Sequence, residues 1–180
     1  MRGAWAWLGA VSLTGVLGPS LACAAADDDD DPLARDRLQA LALAQGSASG
    51  DARSGPLTLA FTREGCDCPA LTVDGETVDL CGLANLGDVT VDVVEGSGVL
   101  GLDVAGALLT GAIEADGSFV LAGIEDLSTL GGSLEALRRM DGQFDAALEA
   151  EGWAGQRLVG EWVTGDGIDC RWTGRFVGTR

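Results

Sequence analysis

Ile168-Asp169-Cys170-Arg171-Trp172-Thr173-Gly174-Arg175-Phe176-Val177-Gly178-Thr179 alternates from residue to residue. Ile168, Cys170, Trp172, Gly174, Phe176 and Gly178 set apolar or small groups on one side. Asp169, Arg171, Thr173, Arg175 and Thr179 set polar groups on the other, and Val177 is the exception. A period of two is the signature of a strand with one face buried. Just upstream, Leu158 to Val163 reads as a second strand with Leu158 and Trp162 on one face. Thr164 to Gly167 supplies the turn, so the two form a hairpin.

The same style extends back through the chain. Val89, Val91 and Val93 alternate with Asp88, Thr90 and Asp92, and Leu100, Leu102 and Val104 follow Gly96-Ser97-Gly98. Residues 108–114 and 118–124 flank Asp116-Gly117, a type I′ hairpin signal. Asp74-Gly75 marks another hairpin, which would pair Val73 with Glu76 and Leu71 with Val78. Ser133 to Met140 and Gln143 to Leu148 fit strand or helix, and Asp141-Gly142 between them reads as a turn. The 28 glycines favour many turns over long helices. The expected fold is therefore mainly β, an antiparallel meander. It must curl into a barrel or open barrel, or fold as a sandwich, to cover its apolar face. The barrel is favoured. One short helix is expected near the N-terminus over 33–45, with Asp31 as cap and Pro32 in the first position. Gly46 to Gly55 then reads as a linker.

The N-terminal residues have a different character. Arg2 is followed by an uncharged stretch to Ala26, most apolar from Ala4 to Leu17, and broken at Gly18-Pro19. That is the layout of an export signal, and the apolar part is shorter than the ~20 residues that span a bilayer. Ala22-Cys23-Ala24 and Ala24-Ala25-Ala26 both offer cleavage sites. Ser20-Leu21-Ala22-Cys23 also resembles the bacterial lipoprotein signal, although that family usually has Leu where Ser20 stands. The resemblance implies a cut before Cys23 and a lipid on its thiol. The expected organisation is a signal over 1–26, an acidic tether, short helix and linker over 27–55, and one β-domain over 56–180. Asp27 to Asp31 form a self-repelling run suited to a tether.

Five cysteines are present, and setting Cys23 aside leaves Cys66, Cys68, Cys81 and Cys170. An even set suits disulfides in an oxidising compartment. Extending the Asp74-Gly75 hairpin outward brings Cys68 opposite Cys81, which leaves Cys66 for Cys170. Strict alternation, however, turns Cys66 outward and Cys170 inward, and Pro69 interrupts the ladder. Cys66–Cys81 with Cys68–Cys170 thus stays open, and Cys66–Cys68 is the strained choice. A four-thiolate metal site is disfavoured by the tight C-x-C spacing, and no metal is expected.

The charge excludes other classes. Twenty-eight acidic residues face eleven arginines and no lysine or histidine, for a net charge of −17. Such a chain repels nucleic acid and anionic membrane surfaces, so membrane attachment is expected only through a lipid at Cys23. Without His or Lys there is no Ser-His-Asp triad, Ser-Lys pair or Schiff base. Carboxylate pairs remain, with Glu161 and Asp169 the foremost candidates for an acid dyad. Gly96-Ser97-Gly98-Val99-Leu100-Gly101 resembles the dinucleotide-binding fingerprint. The helix that motif requires would contain Val104, Gly106, Thr110 and Gly111, so a glycine-rich β-turn is expected and no cofactor. Trp162, Trp172 and Phe176 lie on one face of the final hairpin and are the candidates to line a ligand cavity. The functional expectation is an exported, lipid-anchored or secreted, non-catalytic domain of the bacterial cell envelope with a structural or interaction role. The alternatives are a binder of a small apolar ligand with a lipocalin-like interior and, more remotely, an acid-dyad hydrolase.

Overall fold

The structure is a computed structural model that describes residues 31–73, 76–83, 87–104, 106–127, 132–162, 165 and 167–180. The stretch read as an export signal, with Cys23, and the first four residues of the aspartate run lie outside the described residues.

Helix α1 (Arg35–Ala42) precedes the long strand β1 (Gly55–Asp67). A small hairpin of β2 (Leu71–Val73) and β3 (Glu76–Val78) and the one-turn helix α2 (Leu80–Leu83) come next. Then follow β4 (Asp88–Gly96), β5 (Val99–Val104), β6 (Ala107–Ile113), β7 (Ser118–Asp126), β8 (Ser133–Phe144), β9 (Ala150–Glu161) and β10 (Gly167–Thr179). Strands β4 to β10 each pair with the next, and β1 pairs with both β4 and β10. The meander is thereby a closed eight-stranded antiparallel barrel, neither an open barrel nor a sandwich. Closure leaves the wall no unpaired edge.

The alternation read in 168–179 is the inside and outside of this wall. Ile168, Cys170, Trp172 and Phe176 are buried, and their partners in β9 include Gly160, Leu158, Gln156 and Gly152. The interior stacks Leu57, Leu59, Val91, Val93, Leu100, Leu102, Leu109, Ile113, Phe119, Leu121, Met140, Phe144, Trp172 and Phe176. Polar residues such as Asp88, Thr90, Asp92 and Asp103 face water. Apolar inside and polar outside is the reverse of a membrane-spanning barrel.

Gly142 does not turn the chain. It lies within β8, opposite Phe119 and Gly152. A Cβ there would stand 2.5 Å from Phe119 Cζ and 2.7 Å from Phe176 Cζ, so the glycine is a gap that two rings fill. The turn comes after Phe144, where the Asp145 carboxylate accepts from the Ala147 and Glu149 amides. The fingerprint-like glycines make the β4–β5 hairpin. Ser97 and Gly98 have φ of 52° and 78°, both positive as a type I′ turn demands, and Gly96 pairs with Val99. Strand β5 stands where a dinucleotide fold would need a helix.

The helix is shorter than the 33–45 expected. Asp31 accepts from the Leu33 amide at 2.9 Å and from the Ala34 amide through its carbonyl, so its cap closes a turn before α1 and Ala34 is the helix N-cap. Leu38 is fully buried against Ala122 and Leu137 on the outer wall. The stretch expected as a linker is a strap across the lower end of the barrel. Gly46 N donates to Gly98 O at 2.8 Å, Ala48 N donates to Ile113 O at 3.1 Å, and Ala48 enters the core. Glu95 points into this end with no exposed side-chain surface and binds the Arg53 amide and guanidinium at 2.8 and 2.7 Å.

Candidate functional site at the upper end of the barrel

The end opposite the strap carries all four described cysteines, and a single irregularity places them. The β1–β10 register shifts between Arg63 and Gly65, so Glu64 is an extra residue. A bulge of one residue exchanges the faces of everything beyond it. Before it, Leu57, Leu59 and Phe61 face inward; after it, Cys66 stands opposite the inward Trp172. Cys68 thereby meets Cys170, and the structure bonds these two, with Cα atoms 4.1 Å apart. Cys66 reaches over the rim to Cys81 on α2, at a Cα separation of 5.9 Å.

The pairing ranked first from the sequence, Cys68–Cys81 with Cys66–Cys170, is therefore not the one present; the pairing left open is. The β2–β3 register is the expected one, Val73 with Glu76 and Leu71 with Val78, but the ladder ends there, before Pro69. The extrapolation to Cys68 and Cys81 ran past that end. The turn residues Asp74 and Gly75 lie outside the described residues. The sulfurs of Cys66, Cys68 and Cys81 lie within 4.8 Å of one another. Each is committed to a disulfide, which leaves no thiolate to hold a metal.

Below the disulfides is a cavity of about 50 Å³ lined by Phe61, Val104, Leu109, Met140, Ala154 and Trp172, with Arg138 and Gln156 at its polar side. Arg138 was not singled out in the sequence, because its segment fitted strand or helix. As a strand it shares the inward face with Leu134, Ala136 and Met140. Its charge is met there by Glu125, and its Nε donates to Gln156 Oε1 at 2.9 Å.

The three aromatic candidates separate. Phe176 is 1 % exposed and packs in the middle of the core against Phe61 and Phe119. Trp172 lines the cavity. Trp162 belongs to a separate upper cluster with Leu134, Leu158, Ile168, Cys170, Cys68 and Leu80. The Nε1 atoms of Trp162 and Trp172 are buried without a hydrogen-bond partner.

Glu161 and Asp169 are both exposed on the outer wall and are not directly opposite each other. Glu161 stands opposite Gly167, and Asp169 stands opposite Val159. Asp169 is bound on the outer wall by Arg157, whose Nε and Nη2 donate to its two oxygens at 2.8 and 2.7 Å. Those hydrogen bonds hold the Asp169 carboxyl below its ordinary value, with the charges of Arg157 and Arg171 adding and burial opposing. A carboxyl so held is ionised and has no proton to give as a general acid. Asp31 joins the cluster, its Oδ2 lying 3.2 Å from Arg157 Nη1 and 2.8 Å from Arg171 Nη2. The last of the five aspartates is thus fastened to the barrel.

Fold and site together define a water-facing eight-stranded barrel, strapped below, disulfide-closed above, and packed in between. No family model matches the chain, and neither a curated protein nor a solved structure matches it.

Proposed function

We propose that the chain is exported, is held at the cell envelope through a lipid on Cys23, and serves there as a non-catalytic interaction domain. The observation that carries this reading is the packed interior. Small-molecule pockets run from about 300 Å³ upward, whereas the cavity above Leu109 and Met140 has about 50 Å³. A lipocalin-like cargo has no room among the described residues of the core. A partner is met on the outer surface instead. That surface is acidic and carries exposed apolar side chains at Leu43, Val94 and Leu108. Ala42, Leu43 and Ile124 line a hollow beside α1. Apolar points in a negative field suit a protein partner with basic and apolar groups.

Intact mass spectrometry of the protein from its native envelope, with and without reduction, tests the reading. The expected mass begins at Cys23, includes acyl chains, and rises by four hydrogens on reduction of two disulfides. A mass beginning after Ala24 or Ala26 would replace the lipid anchor with free secretion. A retained molecule too large for the cavity of about 50 Å³, enclosed by the barrel under native conditions, would overturn the interaction role in favour of ligand carriage. A mass retaining Met1 with free thiols would overturn export.

A further inference from the structure

We propose that the upper cavity is a binding subsite for a small neutral molecule, or the neutral head of a larger one, that presents a single carbonyl-type oxygen. The starting point is Trp172. Its side chain is 5 % exposed, it lines the cavity, and its Nε1 has no hydrogen-bond partner. An indole nitrogen is a donor only. Leaving it unpaired in the interior is costly, so native proteins rarely retain one without a use.

The neighbours specify the acceptor. Gln156 lines the same cavity and spends its Oε1 on Arg138 Nε at 2.9 Å, so its amide NH₂ is the end left to donate. The guanidinium of Arg138 is neutralised by Glu125. The cavity thus offers hydrogen-bond donors with no net charge behind them. A carboxylate would enter beside Glu125, inside a chain of net charge −17, and lose its hydration for little return. A cation would face donors. A ketone, amide or ester oxygen accepts from both groups at no charge cost. Phe61, Val104, Leu109 and Met140 then enclose the carbon skeleton. About 50 Å³ admits a group of a few heavy atoms. Anything larger must extend beyond the residues that line the cavity. The subsite is independent of the envelope role and stands whether or not Cys23 carries a lipid.

The test is a titration of the oxidised, exported, ¹⁵N-labelled protein followed at the Trp indole N–H signals. The probes are 2-butanone and, as its charged counterpart, propionate. The expected result is a saturable downfield shift of the Trp172 signal with butanone and an unchanged Trp153 signal. Propionate should bind about tenfold more weakly or worse. Gln156→Met should weaken butanone binding, and the wild-type titration decides the matter should that variant fold poorly. A response that never saturates, or equal responses to both probes, would overturn the proposal. So would a Trp172 indole in steady contact with water and indifferent to butanone, since the cavity would then hold an internal water only.

Discussion

Removing the two disulfides separately should have unequal consequences. In the chain-entropy account a crosslink stabilises by restricting the unfolded chain, and the effect grows with the logarithm of the loop it closes. The Cys68–Cys170 bond spans a sequence separation of 102 and the Cys66–Cys81 bond one of 15. Those lengths give about 4.7 and about 3 kcal/mol at 25 °C. Cys68→Ala with Cys170→Ala should therefore lower the unfolding free energy by roughly 1.7 kcal/mol more than Cys66→Ala with Cys81→Ala. Packing adds in the same direction, because Cys170 is 7 % exposed in the upper cluster whereas Cys66 and Cys81 are half-buried. Urea titration of the two double variants measures the difference, and the reverse order would refute the reasoning. The pairing itself is checked by cleaving the oxidised protein before aspartate. Asp67 separates Cys66 from Cys68, Asp79 precedes Cys81 and Asp169 precedes Cys170, so each cysteine falls on its own peptide. The expected crosslinked products join 51–66 to 79–87 and 67–73 to 169–180.

Gly142→Ala should cost about 1–3 kcal/mol by overpacking, since its Cβ would press on Phe119 and Phe176; a neutral result in urea would show that these rings have slack. Glu95→Ala strands Arg53 at the lower end and should cost about 3–5 kcal/mol. It should also open the strap to trypsin after Arg53, and a strap that stays resistant would mean its backbone bonds to Gly98 and Ile113 suffice. Asp169 is an acid whose folded value is depressed, so its contribution to stability is present above its ordinary carboxyl range and is lost as pH falls through the folded value. Asp169→Asn should thus be less stable than wild type at neutral pH, with the gap closing toward strongly acidic pH; a gap independent of pH would assign the loss to packing.

The barrel was legible because its strands obey one rule. Wherever apolar and polar residues alternate, as in 89–94 and 168–179, the side chains divide between core and water as the pattern says. What escaped was set by contacts far away in sequence. Asp141-Gly142 has the local chemistry of a turn, yet Gly142 is required mid-strand by rings from β7 and β10. The 46–55 stretch has the composition of a linker, yet it binds the lower rim through its backbone and Arg53, for which glycine and serine are no hindrance. The bulge at Glu64 left no mark in the sequence, and it decided the disulfides. One extra residue turned Cys66 and Cys68 inward together, where strict alternation had Cys66 facing out. Arg138 and Gln156 became visible as site residues only once β8 and β9 were known to be strands of a closed wall.

The arginines explain what kind of surface remains. Arg35, Arg53, Arg138, Arg139, Arg157, Arg171 and Arg175 all sit in ion pairs, most of them across strands or between the N-terminal segment and the wall. Arg63 and Arg180 donate to backbone carbonyls of Cys81, Leu148, Ser54 and Arg53. The basic side chains act as clamps, and the acidic excess is left facing water. A guanidinium suits that work, since its planar fork holds two acceptors at once, as Arg157 holds both oxygens of Asp169. A field of that sign draws basic groups from a distance and repels acidic ones. Under the proposed interaction role, specificity toward a partner would fall to the apolar side chains that break the acidic surface, Leu43, Val94 and Leu108 foremost among those described.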